Sequence, residues 1–200
     1  MTPLDFLINF VFDTYLMIVI IRVWLQIARA DFYNPFSQFV TKATNPLFLP
    51  MRRVIPGIGG IDMAGVVLAF IVIYLKLSIM ILIGSNDPLA KVITILSNGT
   101  FDIAIFFLTG VLFFIKKIGV LIFWILLIRA LMSFVSQGRH PVEQVMAQLS
   151  EPLLAPIRRR LPDMGGFDLS LMVLPTILIF SNMCIAYYLT PYISPIWANI

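Results

Sequence analysis

Long apolar stretches alternate with short polar ones along this 200-residue chain. Residues 7–28, 63–83 and 169–189 are each long enough, as helices, to cross the roughly 30 Å hydrocarbon core of a bilayer. A fourth apolar region, 101–135, would be about 52 Å long as one helix, which is too long for a single crossing.

This fourth region is interrupted only by Lys116 and Lys117. We place both lysines at the outer headgroups and expect residues 117–136 to cross the membrane. Residues 101–115 then form an interfacial or re-entrant half-helix. The alternative is a short fifth crossing by the same residues.

The composition is that of an integral membrane protein, with 60% hydrophobic and 12% charged residues and a mean hydropathy of +0.98. The first six residues carry Asp5 but no Lys or Arg, so we expect the first helix to be retained rather than cleaved as a signal peptide. The net charge of +4 lies mostly in membrane-flanking loops, which argues against a nucleic-acid partner. Cys184, the single cysteine, excludes an intrachain disulfide.

Residues 45–62 reappear at an offset of 106 as residues 151–168, which shows an internal duplication. The identical pairs are Pro46/Pro152, Leu47/Leu153, Pro50/Pro156, Arg52/Arg158, Arg53/Arg159, Pro56/Pro162, Gly59/Gly165, Gly60/Gly166 and Asp62/Asp168.

The predicted fold is an all-α integral membrane protein of two parallel repeats with about four crossings. Each repeat is a helix, an amphipathic helix with a Pro-Arg loop, and a second helix. Loops 29–62 and 137–168 hold 8 of the 14 Lys and Arg residues. Four crossings place both loops in the cytoplasm, as the positive-inside rule requires, whereas five would separate them. We assign 1–86 to the first repeat, 87–117 to an outer connector with the half-helix, and 118–200 to the second repeat.

Each repeated loop is predicted to open with a short amphipathic helix that has proline at its first position, Pro35 or Pro141. Such a helix suits either the headgroup layer or packing against the chain's own spans, and the pattern does not choose between them. The apolar stripe is Phe36, Phe39, Val40 and Ala43, opposite Ser37, Gln38 and Thr41, and in the second copy Val142, Val145, Met146 and Leu149.

The prolines that follow predict an interrupted chain, extended or in single turns, because proline breaks a helix interior. Arginine forks in that frame match phosphate oxygens, which indicates anionic lipid headgroups. Setting topology alone, or docking an acidic partner, are the alternatives. The basic residues are Arg52, Arg53, Arg158, Arg159 and Arg160.

The glycine pairs Gly59-Gly60 and Gly165-Gly166 predict a tight turn back toward the membrane. Asp62 and Asp168 follow at the start of the next apolar helix, where a carboxylate caps the free amides. An ion site is the weaker interpretation, since one carboxylate per copy is a thin metal shell.

Polar side chains inside the spans are Arg22, Lys76, Arg129 and Asn182. Intramembrane charge is a candidate functional site by default. No Asp or Glu follows Asp13 within a span, so we expect the arginines to snorkel or to bond helix carbonyls. The same lack of acids disfavours a direct cation pathway.

Enzymatic motifs are missing from the sequence, since His140 and Cys184 are the single residues of their types and lie on different elements. We expect no catalytic activity, no metal and no cofactor.

The duplicated pattern P-L-x-x-P-x-R-R-x-x-P-x-x-G-G-x-D, behind an Arg-bearing helix, resembles the YggT family of bacterial inner-membrane proteins. Residues 31–38 and 136–139 are similar to its gammaproteobacterial members. The resemblance covers nearly the whole chain, with Asp163 at the position of Gly57. It implies links to osmotic tolerance with potassium uptake, to cell division, and, in chloroplast relatives, to haem attachment on a cytochrome b-type subunit.

Two hypotheses remain for function. The first is an inner-membrane assembly or organising factor whose twin cytoplasmic loops bind anionic lipid or a membrane-protein partner, including a second copy. The alternative is a transport protein, or an accessory to one, for potassium homeostasis under osmotic stress.

Overall fold

A computed structural model describes residues 2–57, 60, 62–85, 87, 89–91, 93, 102–135, 141–159 and 170–198, with side chains other than those of 133–135, 170 and 189–198. The helices are α1 (Pro3–Ile27), α2 (Pro35–Arg52), α3 (Met63–Leu82), α4 (Ile103–Val135), α5 (Pro141–Arg158) and α6 (Ser170–Ala198).

Four of these helices are long and apolar enough to cross a membrane: Pro3–Ile27, Met63–Leu82, Ile103–Met132 and Leu171–Tyr188. Helices α2 and α5 are shorter and amphipathic, and each stands between two spans. The order long–short–long therefore occurs twice, which confirms the predicted all-α membrane fold with about four crossings.

The expectation of a separate half-helix ending near Lys117 is wrong. Helix α4 runs without a break from Ile103 to Val135, and its first half packs along the middle of α3. The rings of Phe70 and Phe114 lie 4.8 Å apart, and those of Tyr74 and Phe107 lie 5.0 Å apart. Two adjacent lysines do not break a helix whose neighbours supply a carboxylate to one of them.

The expectation that the prolines interrupt the repeated loop is also wrong. Pro46 and Pro50 lie inside α2, and Pro152 and Pro156 lie inside α5. A proline frees the carbonyl four residues before it, and here both prolines of a copy stand four apart on an exposed face. The freed carbonyls can be hydrated there, while the opposite face stays packed. Pro56 follows the end of α2, and Pro162 lies outside the described residues.

The two repeats pack their helices in the same way. Helix α1 contacts α2 and α3, and α2 contacts α3, just as α4 contacts α5 and α6, and α5 contacts α6. The repeats join where α3 and α1 contact α4 and where α2 contacts α5. Since α2 and α5 touch, the amphipathic helices of both repeats lie at one end of the bundle, as four crossings predict and five do not.

Glycine permits a close approach of helices within the first repeat. A Cβ added at Gly65 of α3 would stand 2.5 Å from Val23 Cγ2 of α1 and 3.1 Å from Phe48 Cε2 of α2. Small residues are typical of such crossings in membrane proteins. The hydrophobic effect does not drive helices together in lipid, so they associate through close packing, which small residues permit. The three helices of the first repeat therefore meet at Gly65.

Candidate functional site

Arg22 of α1 holds the amphipathic helix α2 against the bundle. Its Nη1 donates to the Thr41 carbonyl at 3.1 Å, to Thr44 Oγ1 at 2.5 Å and to Asn45 Oδ1 at 2.8 Å. The guanidinium also lies 3.7 Å from the centroid of the Phe48 ring. The hydrogen-bond acceptors and the aromatic ring of α2 thereby compensate the intramembrane charge of Arg22, which in turn holds α2 in place.

Arg129 of α4 repeats this arrangement in the second copy. Its Nη1 donates to the Ala147 carbonyl at 3.4 Å and to Ser150 Oγ. It also lies 3.8 Å from Glu151 Oε2. The three acceptors are the counterparts, at an offset of 106, of Thr41, Thr44 and Asn45. We call each set of contacts an arginine clamp.

The clamps confirm that both arginines bond a helix carbonyl, and they correct two other expectations. Arg129 does have an acidic neighbour, Glu151, which comes from the loop rather than from a span. The buried face of α2 is also rotated from the predicted stripe, since Ser37 is buried and Phe39 is exposed. Thr44 is buried on the same face as Ser37, and its hydroxyl accepts a hydrogen bond from Arg22 Nη1.

The basic end of the first loop lies beyond its clamp. Arg52 closes α2, and its Nε lies 3.2 Å from Asp62 Oδ2. Asp62 also accepts a hydrogen bond from the Ala64 amide and so caps α3. Gly60 between them has φ +83°, a conformation suited to glycine. Arg53 is exposed next to Val54.

The second loop is described only in part. Arg158 Nη1 donates to both carboxylate oxygens of Glu151 at 3.2 Å, and Arg159 is exposed. The remaining predicted loop residues lie outside the described part of the chain: Gly59, Arg160, Pro162, Gly165, Gly166 and Asp168.

A cluster of charges lies farther along the bundle, away from the clamps, and the sequence analysis did not predict it. Asp13, near the middle of α1, accepts from Lys76 Nζ at 2.5 Å and from Lys117 Nζ at 2.9 Å. Lys76 is 2% exposed, so its charge depends on this carboxylate. Lys117 therefore points into the bundle rather than to the headgroups where we placed it. The sequence did contain an indication of this cluster, because one acid and several lysines lie on separate apolar spans. Each of these charges is costly in lipid unless it is paired.

A cavity of about 400 Å³ opens beside this cluster. Asn9 also lines it and donates to Asp87 Oδ2 of the connector at 2.8 Å. The lysines lie 4.7 and 5.0 Å from the centroid of the Phe113 ring, which forms an apolar wall. The cavity thus has fixed charges of both signs next to aromatic surface.

A second cavity, of about 350 Å³, lies between α4 and α6. Lys116, Gly119 and Asn182 line it. Asn182 is the counterpart of Lys76 at the offset of 106, so this cavity is the second repeat's version of the first. Among the described residues no group of His, Cys, Asp and Glu is placed to hold a metal ion.

A family model described as CCB3/YggT matches residues 1–83 and 108–189. An "Uncharacterized protein in proC 3'region" of Vibrio alginolyticus is 49% identical over the full length of both chains. "Uncharacterized protein YggT" of Escherichia coli K12 is 46% identical over 93% of this chain and 90% of its own. An uncharacterized protein of Pseudomonas aeruginosa is 41% identical over 78% and 74%. No solved structure matches significantly.

Proposed function

Because the chain belongs to the CCB3/YggT family, we propose that it is a non-enzymatic assembly or organising factor of the bacterial inner membrane. Its binding surface is the basic end of the repeated loops on the cytoplasmic side, and its ligand is the anionic lipid headgroup. The observation that carries this proposal is that the arginines of the first loop and of the spans have different surroundings. Arg22 and Arg129 make their hydrogen bonds inside the clamps, whereas Arg52 and Arg53 face outward.

The exposure and surroundings of these arginines suit phosphate. The Arg52 side chain is 62% exposed, and its ion pair with Asp62 uses Nε, so its terminal amino groups are not needed there. Exposed Leu47, Leu49 and Val54 stand close by in sequence. Apolar side chains that enter the acyl boundary next to cations at headgroup depth are typical of interfacial helices.

The clamps make this surface stiff. Each ties the amphipathic helix to a membrane span, so the arginines are held at a fixed depth and spacing. A binding surface with fixed geometry loses little entropy when it takes up its ligand. The two copies together would gather anionic lipid, or keep a lipid-bound partner, at one end of the bundle.

Lipid retention after mild detergent extraction tests the proposal. Protein from nanodiscs containing phosphatidylglycerol and phosphatidylethanolamine is analysed by native mass spectrometry. Arg52→Gln with Arg53→Gln should weaken anionic lipid binding about fivefold per charge, since each is worth about 1 kcal/mol. Lys at both positions should restore part of the binding, because the charge returns but the fork does not.

Lys91→Gln is the matched control, because this exposed lysine lies in the connector on the other side of the bundle. Unchanged lipid retention in the double Gln variant would refute the lipid proposal. If affinity purification from native membranes then showed loss of a protein from the same variant, the surface would be a docking site for an acidic partner.

A transport role, direct or accessory, in potassium homeostasis and osmotic tolerance is the second candidate. The cavity beside Asp13 favours it, since charged and polar side chains inside a bundle mark transport sites. The two lysines balance the two carboxylates that line this cavity, Asp13 and Asp87, which leaves little net negative charge for a cation. An accessory role therefore fits the charges better than conduction.

A further inference from the structure

The contact between the repeats can occur only once in a single chain, although the surfaces that form it are present twice. Inside the chain, α3 of the first repeat packs on α4 of the second. Phe70 meets Phe114 at 4.8 Å, and Tyr74 donates to the Phe107 carbonyl at 3.1 Å. The counterpart of α3 is α6, and the counterpart of α4 is α1. No contact of comparable extent joins α6 to α1 in the described residues.

The face of α1 that corresponds to the packed face of α4 is uncovered. The clamp arginines Arg22 and Arg129 make equivalent contacts in the two repeats, so α1 and α4 correspond at an offset of 107. Phe113 of α4 is 2% exposed, whereas its counterpart Phe6 is 65% exposed. The uncovered stripe on α1, at helical spacing, is Phe6, Leu7, Phe10, Val11 and Thr14.

The face of α6 that corresponds to the packed face of α3 is uncovered too. Leu77 of α3 is 1% exposed, and its counterpart Met183 is 64% exposed. Tyr74, which packs on α4, corresponds to exposed Phe180. The uncovered stripe on α6 is Met172, Thr176, Ile179, Phe180, Met183 and Tyr187.

Helix α6 also carries two polar residues outside this stripe. Ser181 and Asn182 are exposed near the middle of the helix and line the second cavity with Lys116. Polar side chains at this depth are costly in hydrocarbon and act as glue between helices. In the first repeat the corresponding position, Lys76, is covered by α4. A helix that docks on α6 as α4 docks on α3 would cover the corresponding position of the second repeat, Asn182.

We propose that a second copy of this chain supplies that helix: its α1 docks on α6 as α4 docks on α3 within one chain. The interface is heterologous, joining different faces of identical subunits, so that successive copies continue the internal repeat. The proposal stands independently of lipid binding at the basic loops.

Cysteine pairs test this arrangement when they are placed at the counterparts of residues that touch in the contact between α3 and α4. Phe70 and Phe114 correspond to Thr176 and Leu7, so these two positions should be adjacent across the interface. Leu7→Cys and Thr176→Cys are made in chains with different tags and a Cys184→Ser background, then co-expressed and oxidised in native membranes. The expected product is a mixed-tag dimer, and one chain with both cysteines should give a ladder of multimers.

Ile71→Cys is the matched control for Thr176→Cys, because Ile71 is exposed on α3 at nearly the corresponding depth. Equal crosslinking of the Leu7→Cys chain to either chain would indicate random collision and overturn the proposal. Disulfide formation of Leu7→Cys with itself would show a symmetric contact instead. A doubly substituted chain that closes only within itself would show that the repeats form a closed monomer.

A second measurement does not depend on oxidation. Phe6→Ala with Phe10→Ala removes apolar surface that the single chain leaves exposed, so the fold should persist. Mass measurement in nanodiscs should then show a smaller assembly, whereas Leu75→Ala, on an exposed part of α3, should not. An assembly of unchanged size would contradict the proposed interface.

Discussion

Trp24 of the first repeat and Leu149 of the second are joined by a hydrogen bond, in which indole Nε1 donates to the Leu149 carbonyl at 2.9 Å. Asn34 makes a similar bridge to the Pro141 carbonyl at 2.8 Å. Both bonds cross between repeats at the end where the amphipathic helices meet. The two repeats are therefore fixed to each other by polar contacts as well as by apolar packing.

Replacing Trp24 by Phe should lower stability by about 1 kcal/mol, because one partly buried hydrogen bond is lost while most of the aromatic contact remains. The midpoint of thermal unfolding in detergent measures the change. Trp124→Phe, at a half-exposed ring, should leave the midpoint nearly unchanged. Equal shifts in both variants would mean that the bond contributes nothing.

Arg22→Lys should destabilise the first clamp by about 0.5–2 kcal/mol, since an ammonium cannot reproduce the contacts of the planar guanidinium. Thr44→Val removes one acceptor, so combining it with Arg22→Lys should cost less than the sum of the two. Arg129→Lys with Ser150→Ala forms the matching cycle in the second repeat. Strict additivity in both cycles would contradict a direct clamp.

Asp13→Asn should be the most damaging of these changes, by about 3 kcal/mol or more, because it leaves the buried Lys76 charge without its carboxylate. Adding Lys76→Met should recover part of the loss, since the buried charge then disappears. Yield and thermal midpoint in detergent report both effects. If Lys76→Met made the Asp13→Asn variant worse, the ion pair would not be the reason for the loss.

Thiol labelling decides which side of the membrane holds the loops. In a Cys184→Ser background, cysteines at Gln38 and Gln144, both exposed, should react with an impermeant reagent only after the cytoplasmic side is opened. A cysteine at exposed Lys91 should react from outside. Labelling of the loops in intact cells would reverse the proposed orientation.

Purified protein in liposomes should show no potassium or sodium flux above that of empty vesicles. Arg22, Lys76 and Arg129 are positive, and the carboxylate near mid-membrane is shared by two lysines, so a desolvated cation would find little compensation. Ion-selective fluorescence records the flux. Robust transport that is abolished by Asn182→Ala in a folded protein would favour a channel or carrier instead.

Periodicity and self-similarity were enough to predict the duplicated membrane fold, because hydrophobic length and repeated motifs are local properties. The prolines led to the wrong prediction of an interrupted chain, because the energetic cost of a proline inside a helix depends on the face that it occupies. That face of α2 is fixed only when Thr44 packs toward Arg22. The Asp13 cluster was missed because its members are 63 and 104 residues apart. Only the packing of α1 with α3 and α4 brings them together.

The same cluster has a consequence for the order in which the chain is made. Asp13 and Lys76 both belong to the first repeat, so this half can neutralise its buried lysine before the rest has been synthesised. Helices α4 and α6 contain no acidic residue, and Lys117 finds its carboxylate in the half already inserted. We therefore expect the first repeat to insert stably alone and the second to depend on it, so that biogenesis in the membrane proceeds in one direction.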